Sequence, residues 1–349
     1  MLKTLMMRLT VLILAVSVLT SSTLMAQDSL NFPTMGKIVS HDPAMSKVLD
    51  ESAKLQVISS GYVWSEGPLW INDDSNKFGG YLLFSDVPQN TVFKWVEGVG
   101  AKPWMNPSGF TGPAGYSKES GSNGLTLDNE GRVVFCEHGD RRVSVLTKGG
   151  GKMTLADRCD GKRFNSPNDV VVASNGNIYF TDPAYGLPQG FKDPSRETSY
   201  CGVYLIRPDR SCVLLTEEFE APNGIGLSPD HKTLYVAQSS GTQPLWKAFD
   251  IKTDGTLEKS RVLLAANETG VKLPGAPDGL DVAADGTIFS SGPGGIWMIS
   301  PEGKLLGRIE TGEHTSNCTF GGKDGSVLYL TADTYICRIQ TKTKGQRWK

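Results

Sequence analysis

Beyond residue 53 the chain is written in short apolar runs of four to seven residues, separated by clusters of Gly, Asn, Asp and Pro. Runs of that length bounded by turn formers are strand and hairpin signals. Nothing there shows the spacing of a long amphipathic helix. Five segments repeat one order: a short polar motif, an apolar strand, a turn, a second apolar strand and then a third. They begin at Ser122 (SNGLTLDNEGRVVFCEHGDRRVSVL), Ser166 (SPNDVVVASNGNIYFTDPAYGL), Pro222 (PNGIGLSPDHKTLYVAQ), Pro277 (PDGLDVAADGTIFSSGPGGIWMIS) and Ser316 (SNCTFGGKDGSVLYLTADTYICRI). A sixth, with a longer first turn, begins at Ser65 (SEGPLWINDDSNKFGGYLLFSDVPQNTVFKW).

Glu66, Asn123, Asn168, Asn223, Asp278 and Asn317 mark the same phase in each segment, at spacings of 57, 45, 55, 55 and 39 residues. A multi-stranded unit of about 40–55 residues is the period of a propeller blade. The pattern therefore predicts an all-β, six-bladed β-propeller. Its last unit holds only about three strands before the chain ends. The strand KLQVIS at 54–59 is predicted to complete that blade, pairing outside the run 335–340 and leaving no open edge at the seam. The longest insertion, 106–122, is rich in Gly, Pro and Ser and is expected as a surface loop or lid at the channel mouth.

The first residues alter the boundaries. Lys3 and Arg8 precede an apolar run over 9–19, followed by small and polar residues and a plausible cut after Ala26. That run is short for a membrane span and reads as an export signal. The expected organisation is a signal peptide over 1–26, a lead-in over 27–53 and the propeller over 54–349, in a protein that is periplasmic or secreted. After the cut, 33 basic residues face 37 acidic ones. Near-balanced charge argues against nucleic acid and against a membrane-bound mature form, and for a small-molecule partner. All six cysteines lie in the mature part, with no Cys-x-x-Cys. The local pair Cys201 and Cys212 fails on geometry, because a hairpin turning at 208–210 sets Ile206, not Cys201, opposite Cys212. Buried thiols and more distant disulfides both stay open.

In a propeller the first strand of each blade lines the central channel, so the six phase markers converge on one axis. Asn-Gly and Asp-Gly pairs are also ordinary turn residues; it is their common phase that points to a site. Burying carboxylates side by side without a counter-charge is costly, and a divalent cation offsets that cost. The donors are carboxylate and amide oxygens, which suit a hard cation. Ca²⁺ fits an irregular set best, with Mg²⁺, Mn²⁺ and Zn²⁺ left open.

SEGPLW, YLLFSDVPQNTVFKW, SPNDVVV, YFTDPAYGL, PNGIGLSPD and PDGLDVAADG together resemble the SMP-30/gluconolactonase/LRE family of six-bladed propellers, in its bacterial gluconolactonase-like branch, over 55–341. The resemblance implies that Glu66, Asn223 and Asp278 bind the metal, with Asn168 a further ligand or close neighbour that also meets substrate. Asp182 falls where the family has an acidic residue facing substrate. Asn123 is expected beside the substrate. His138, in FCEHGDRRV, either lines the mouth as a substrate contact or is a structural hydrogen-bonding histidine. One departure bears on substrate identity: sugar-lactone-specific members carry an Arg two residues before Asn168, where this chain has Ser166.

The implied chemistry is hydrolysis of a small lactone such as gluconolactone, its carbonyl polarised at a coordination position the protein leaves open. A carboxylate must take the proton of the attacking water, Asp278 first and Asp182 second. No Gly-x-Ser-x-Gly elbow is present for a serine hydrolase. The rival readings are a calcium-dependent phosphotriesterase or aryl esterase on the same scaffold, and a non-catalytic ligand-binding propeller with a structural metal.

Overall fold

The structure is a computed structural model that describes residues 31–348. The export signal expected over 1–26 lies outside them. Six antiparallel blade sheets follow one another along the chain, with a two-stranded ribbon of Arg158–Cys159 and Lys162–Arg163 after the second. Blade 1 is built from Ser65–Asn72, Gly80–Asp86, Thr91–Val96 and Gly100–Met105, and blade 2 from Ser122–Leu127, Val133–Glu137, Arg142–Leu146 and Lys152–Ala156. Blade 3 holds Val170–Val172, Ile178–Asp182, Cys201–Ile206 and Cys212–Phe219, and blade 4 holds Pro222–Leu227, Thr233–Gln238, Leu245–Ile251 and Leu257–Ala265. Blade 5 runs through Leu280–Val282, Ile288–Gly292, Gly295–Ile299 and Leu305–Glu310, and blade 6 through Thr315–Gly321, Val327–Ala332 and Tyr335–Gln340. The first strand of each blade packs on the first strand of the next, and the ring closes from Thr315–Gly321 back to Ser65–Asn72.

The seam is closed as expected. Leu55–Ser60 pairs antiparallel with Tyr335–Gln340, with Ile336 opposite Ser59 and Arg338 opposite Gln56. The lead-in does more than the sequence suggested. Thr34–Met35 adds a fifth strand outside Leu55–Ser60, and Lys37–Ser40 adds one outside Leu305–Glu310. A short 3₁₀ turn at Pro43–Lys47, capped by Asp42 accepting from the Ala44 amide at 2.8 Å, then delivers Met45, Val48 and Leu49 into the core under blades 5 and 6. Full burial of such side chains stabilises by about 1.5–3 kcal/mol each.

The hydrophobic core divides into six clusters, each between two consecutive blades. Trp246 of blade 4 packs on Trp297 of blade 5 at 5.2 Å, and Trp70 of blade 1 stacks on Tyr329 of blade 6 at 5.1 Å. The seam between blades 6 and 1 is thus filled like any other interface. All six cysteines are unpaired thiols, and Ile206 does face Cys212 across the hairpin. Among the described residues no helix is long and apolar enough to cross a membrane.

Candidate metal-binding active site

The polar motifs are not turns. Each lies at or just before the first strand of its blade, and four of those strands carry a register shift there: Glu66/Leu69, Ser122/Leu125, Pro222/Ile225 and Thr315/Asn317. Bulges of this kind turn a side chain off the ladder toward a site. A glycine follows four of the six markers, where the ring leaves no room for a Cβ. A Cβ on Gly67 would lie 2.0 Å from the Asn123 carbonyl oxygen, and one on Gly224 would lie 2.1 Å from that of Asp278. Neighbouring inner strands therefore touch backbone to backbone, which fixes the spacing of the side chains one residue earlier.

Glu66, Asn123, Asn168, Asn223 and Asp278 line one cavity of about 350 Å³ at one end of the channel. Trp64, Glu119, Tyr185, Ser239, Gly275, Ala276, His314 and Thr315 complete its wall. Asn317, the sixth marker, does not join them. Its Oδ1 accepts from the Cys318 amide at 2.8 Å, and its side chain lines the opposite end of the channel.

No lysine or arginine lines this cavity. Burial, then the nearby charges of Asp169 and Glu119, pushes Glu66 up to about 8. Its oxygens receive only two long bonds, from Trp64 Nε1 and the Gly67 amide, each at 3.3 Å. Asp278 is driven well above the carboxylate range by burial and then by Glu66, and its Oδ1 is buried without a hydrogen-bond partner. The amides are held with oxygen available: Asn223 Nδ2 donates to Ser239 Oγ at 2.9 Å, and that hydroxyl donates to the Pro277 carbonyl at 2.6 Å.

Two carboxylates short of donors, beside oriented amides and with no lysine or arginine, form a set that a hard divalent cation would complete. Among the described residues, no group of three or more His, Cys, Asp or Glu side chains is disposed to hold a metal. A cation here would rely on amide oxygens as well as on Glu66 and Asp278.

Two of the residues assigned to substrate, Asp182 and His138, are not among those that line this cavity. Asp182 ends the second strand of blade 3, and its Oδ2 accepts from the Asn165 amide at 2.7 Å, bracing the loop that carries Asn168. Burial pushes it up to about 7, and its Oδ1 is buried without a hydrogen-bond partner. His138 is fully buried, and desolvation lowers it to about 4, so the ring is neutral. Its Nδ1 lies 3.1 Å from the Glu119 carbonyl and its Nε2 lies 3.5 Å from Asn168 Nδ2. A ring protonated on Nδ1 donates to that carbonyl and turns its other nitrogen toward the Asn168 amide. Tyr185, three residues past Asp182 in the same motif, reaches the cavity instead; burial, then the Asp278 charge, pushes its phenol well up.

The SMP-30/Gluconolactonase/LRE-like region matches residues 64–334. The chain belongs to this family. It is 37% identical over 341 residues to a gluconolactonase of Zymomonas mobilis subsp. mobilis, covering 95% of this chain and 93% of that protein. It is 26% identical to a regucalcin of Xenopus laevis over 280 residues, 79% of this chain and 85% of that protein. Among solved structures, a gluconolactonase from Xanthomonas campestris superposes with a TM-score of 0.74 at 30% identity, over 88% of this chain and 97% of that one. The family's propeller is the fold described above, and its matched span includes every marker from Glu66 to Asn317.

Proposed function

We propose that the chain is a lactonase that opens a small lactone, with gluconolactone the first candidate, and that it depends on a divalent cation, Ca²⁺ first, held by Glu66, Asn168, Asn223 and Asp278. The observation that carries this reading is Asp278 Oδ1, a buried carboxylate oxygen without a hydrogen-bond partner, in a cavity that Glu66 also lines and no lysine or arginine does. The 37% identity to a gluconolactonase across nearly the whole chain supports the substrate class. A cavity of about 350 Å³ suits a single small ring, at the lower end of the roughly 300–1,000 Å³ usual for small-molecule sites.

When bound, the cation supplies charge to polarise the carbonyl and to stabilise the oxyanion that water attack creates. The chain's own residues do the rest. Asn123 and Tyr185, which line the cavity, would meet the ring hydroxyls, and Trp64 would give the ring an apolar wall. Ser166, standing where sugar-lactone-specific members have Arg, is engaged in the fold: its hydroxyl donates to the Pro183 carbonyl at 2.6 Å and accepts from the Gly186 amide at 3.0 Å. Recognition of the sugar would therefore come from the cavity wall. Export through residues 1–26 is part of the same proposal. The test is acid release from a lactone panel in a pH-stat, with and without chelator. Turnover that chelation abolishes and Ca²⁺ restores supports the reading; turnover indifferent to chelator rejects the metal, and no turnover on any lactone rejects the activity.

A further inference from the structure

Two cysteines far apart in the chain meet at the outer strand of blade 3. Cys159 lies in the two-stranded ribbon, where Arg158 pairs with Arg163 and Cys159 with Lys162. Cys212 opens the outermost strand of blade 3, Cys212–Phe219, and the ribbon packs against that strand. Cys159 is buried in the core between blades 2 and 3, and Cys212 packs on the same core. The Cys212 thiol donates a hydrogen bond to the Cys159 sulfur, so the two sulfurs are in direct contact. That bond, joined by the amides of Leu214 and Asp160, holds the Cys159 thiol below its ordinary value. A thiolate is the attacking form in thiol–disulfide exchange.

The other four thiols are engaged elsewhere. Cys318 Sγ donates to the Phe289 carbonyl at 3.2 Å, Cys337 Sγ lies 3.5 Å from Met35 Sδ, and Arg196 Nη2 lies 3.9 Å from Cys201 Sγ. Cys136 is fully buried in the second strand of blade 2, where burial pushes its thiol well up. The Cys159 and Cys212 pair, by contrast, sits beside solvent. Cys212 is half-buried and follows the exposed turn 208–211, and Asp160 and Gly161 next to Cys159 are exposed.

We propose that Cys159 and Cys212 form a structural disulfide that staples the ribbon to the outer strand of blade 3. The oxidant is a small-molecule or protein disulfide, met in the compartment that the export reading above supplies. One thiolate of the pair attacks the oxidant's disulfide and releases one of its sulfurs as a thiolate. The other attacks the mixed disulfide and releases the second. The pair loses two electrons and two protons, and the oxidant is reduced to two thiols. The link closes a loop of roughly 50 residues, long enough for the loss of chain entropy in the unfolded state to stabilise the fold substantially. Asn168 and Tyr185, which line the cavity, lie within that loop. The ribbon leads directly into it: the Arg163 amide donates to Glu197 Oε2 at 2.8 Å and the Phe164 amide to the Asp157 carbonyl at 3.3 Å.

The experiment places the purified, fully reduced chain in oxidised glutathione and follows free thiols after denaturation, non-reducing peptide maps and melting temperature. The proposal expects four free thiols in place of six and one cross-linked peptide joining Cys159 to Cys212. The oxidised chain should melt about 5–10 °C above the reduced one. The double variant Cys159→Ser with Cys212→Ser should keep its four thiols and show no such shift. Six thiols retained in oxidised glutathione, a link mapped to any other pair, or glutathione left on Cys212 without a link overturns the proposal. A link that leaves the melting temperature unchanged or lowers it overturns the structural role. Fractionation of the expressing cells reads the export proposal separately: a chain kept inside the cell that still forms this link in glutathione contradicts export and supports the pair.

Discussion

The two ends of the central channel hold similar acids in opposite circumstances. At the far end, in a larger cavity of about 540 Å³, Asp169 accepts from the amides of Val170 and Ile225 at 2.9 and 3.2 Å, and Asp281 from those of Val282 and Phe320 at 2.8 and 2.9 Å. The C-terminal turn Gln346–Trp348 reaches into that end, where Arg347 Nη2 donates to the Trp70 carbonyl and Gln346 Nε2 to that of Leu227, both at 2.7 Å. The Arg347 charge also favours ionised Asp281. At the near end Glu66 has two long bonds, and Asp278 Oδ1 has none. Size does not locate the chemistry; the partnering of the acids does. Acids tied to backbone amides are part of the fold, whereas acids left short of partners in a cavity without protein cations are positioned for something that binds.

Asp278 and Asp281 lie three residues apart in one motif and face opposite ends, so matched substitutions break the comparison most sharply. Asp278→Asn keeps an oxygen but removes the charge; Ca²⁺ affinity should fall on the order of 100-fold and lactone turnover with it, with little change in melting temperature of the metal-free protein. Asp281→Asn should leave Ca²⁺ affinity and KM at wild-type values but cost about 1–3 kcal/mol of stability, because its amide acceptors are disrupted. Calorimetry and thermal melts separate the two.

Removing residues 342–349 tests the far end as a whole. The truncated chain loses the Arg347 and Gln346 bonds and the isolated bridge between Gly345 and Ala283. Its melting temperature should drop by roughly 5 °C, while KM stays unchanged. A raised KM would mean that the far end shapes the substrate site.

A smaller effect sharpens the comparison through pH. Glu66 at about 8 and Asp169 at about 7 are raised above the ordinary carboxylate range near 4 that they have when unfolded. Raised acids contribute stability that is full below the unfolded value and is lost as pH climbs through the folded one. The chelated protein should therefore melt at progressively lower temperature between about pH 5 and pH 8.5. Added Ca²⁺ should recover more at the upper end of that range, where it no longer competes with a proton on Glu66. A melting temperature that rises over this range contradicts the assignment.

What the sequence made legible was whatever recurs. The phase of six strands was enough for the blade count, the seam strand at 54–59 and the convergence of Glu66, Asn123, Asn168, Asn223 and Asp278, because the same bulge and the same close approach of inner strands operate in repeat after repeat. Residues outside the repeat were opaque. Glu119 lies in an insertion with no periodicity, and Arg347 in a tail whose destination no pattern records. Asn317 shares the phase of the ring, yet its amide folds back onto the Cys318 amide. Asp182 and Tyr185 share one motif; the loop entering Asn168 takes the carboxylate of the first, and only the second reaches the cavity. Thr34–Met35 and Lys37–Ser40 were too short and too exposed to read as strands before their partners were known.

Calorimetric titration of Ca²⁺ into the chelated wild type, Glu66→Gln and Asp281→Asn tests the central claim most directly. The account predicts one Ca²⁺ per chain in wild type, affinity at least about tenfold weaker in Glu66→Gln, and wild-type affinity in Asp281→Asn. Absence of binding in wild type, or binding that Glu66→Gln leaves intact while Asp281→Asn weakens it, would contradict the claim that the near end holds the cation.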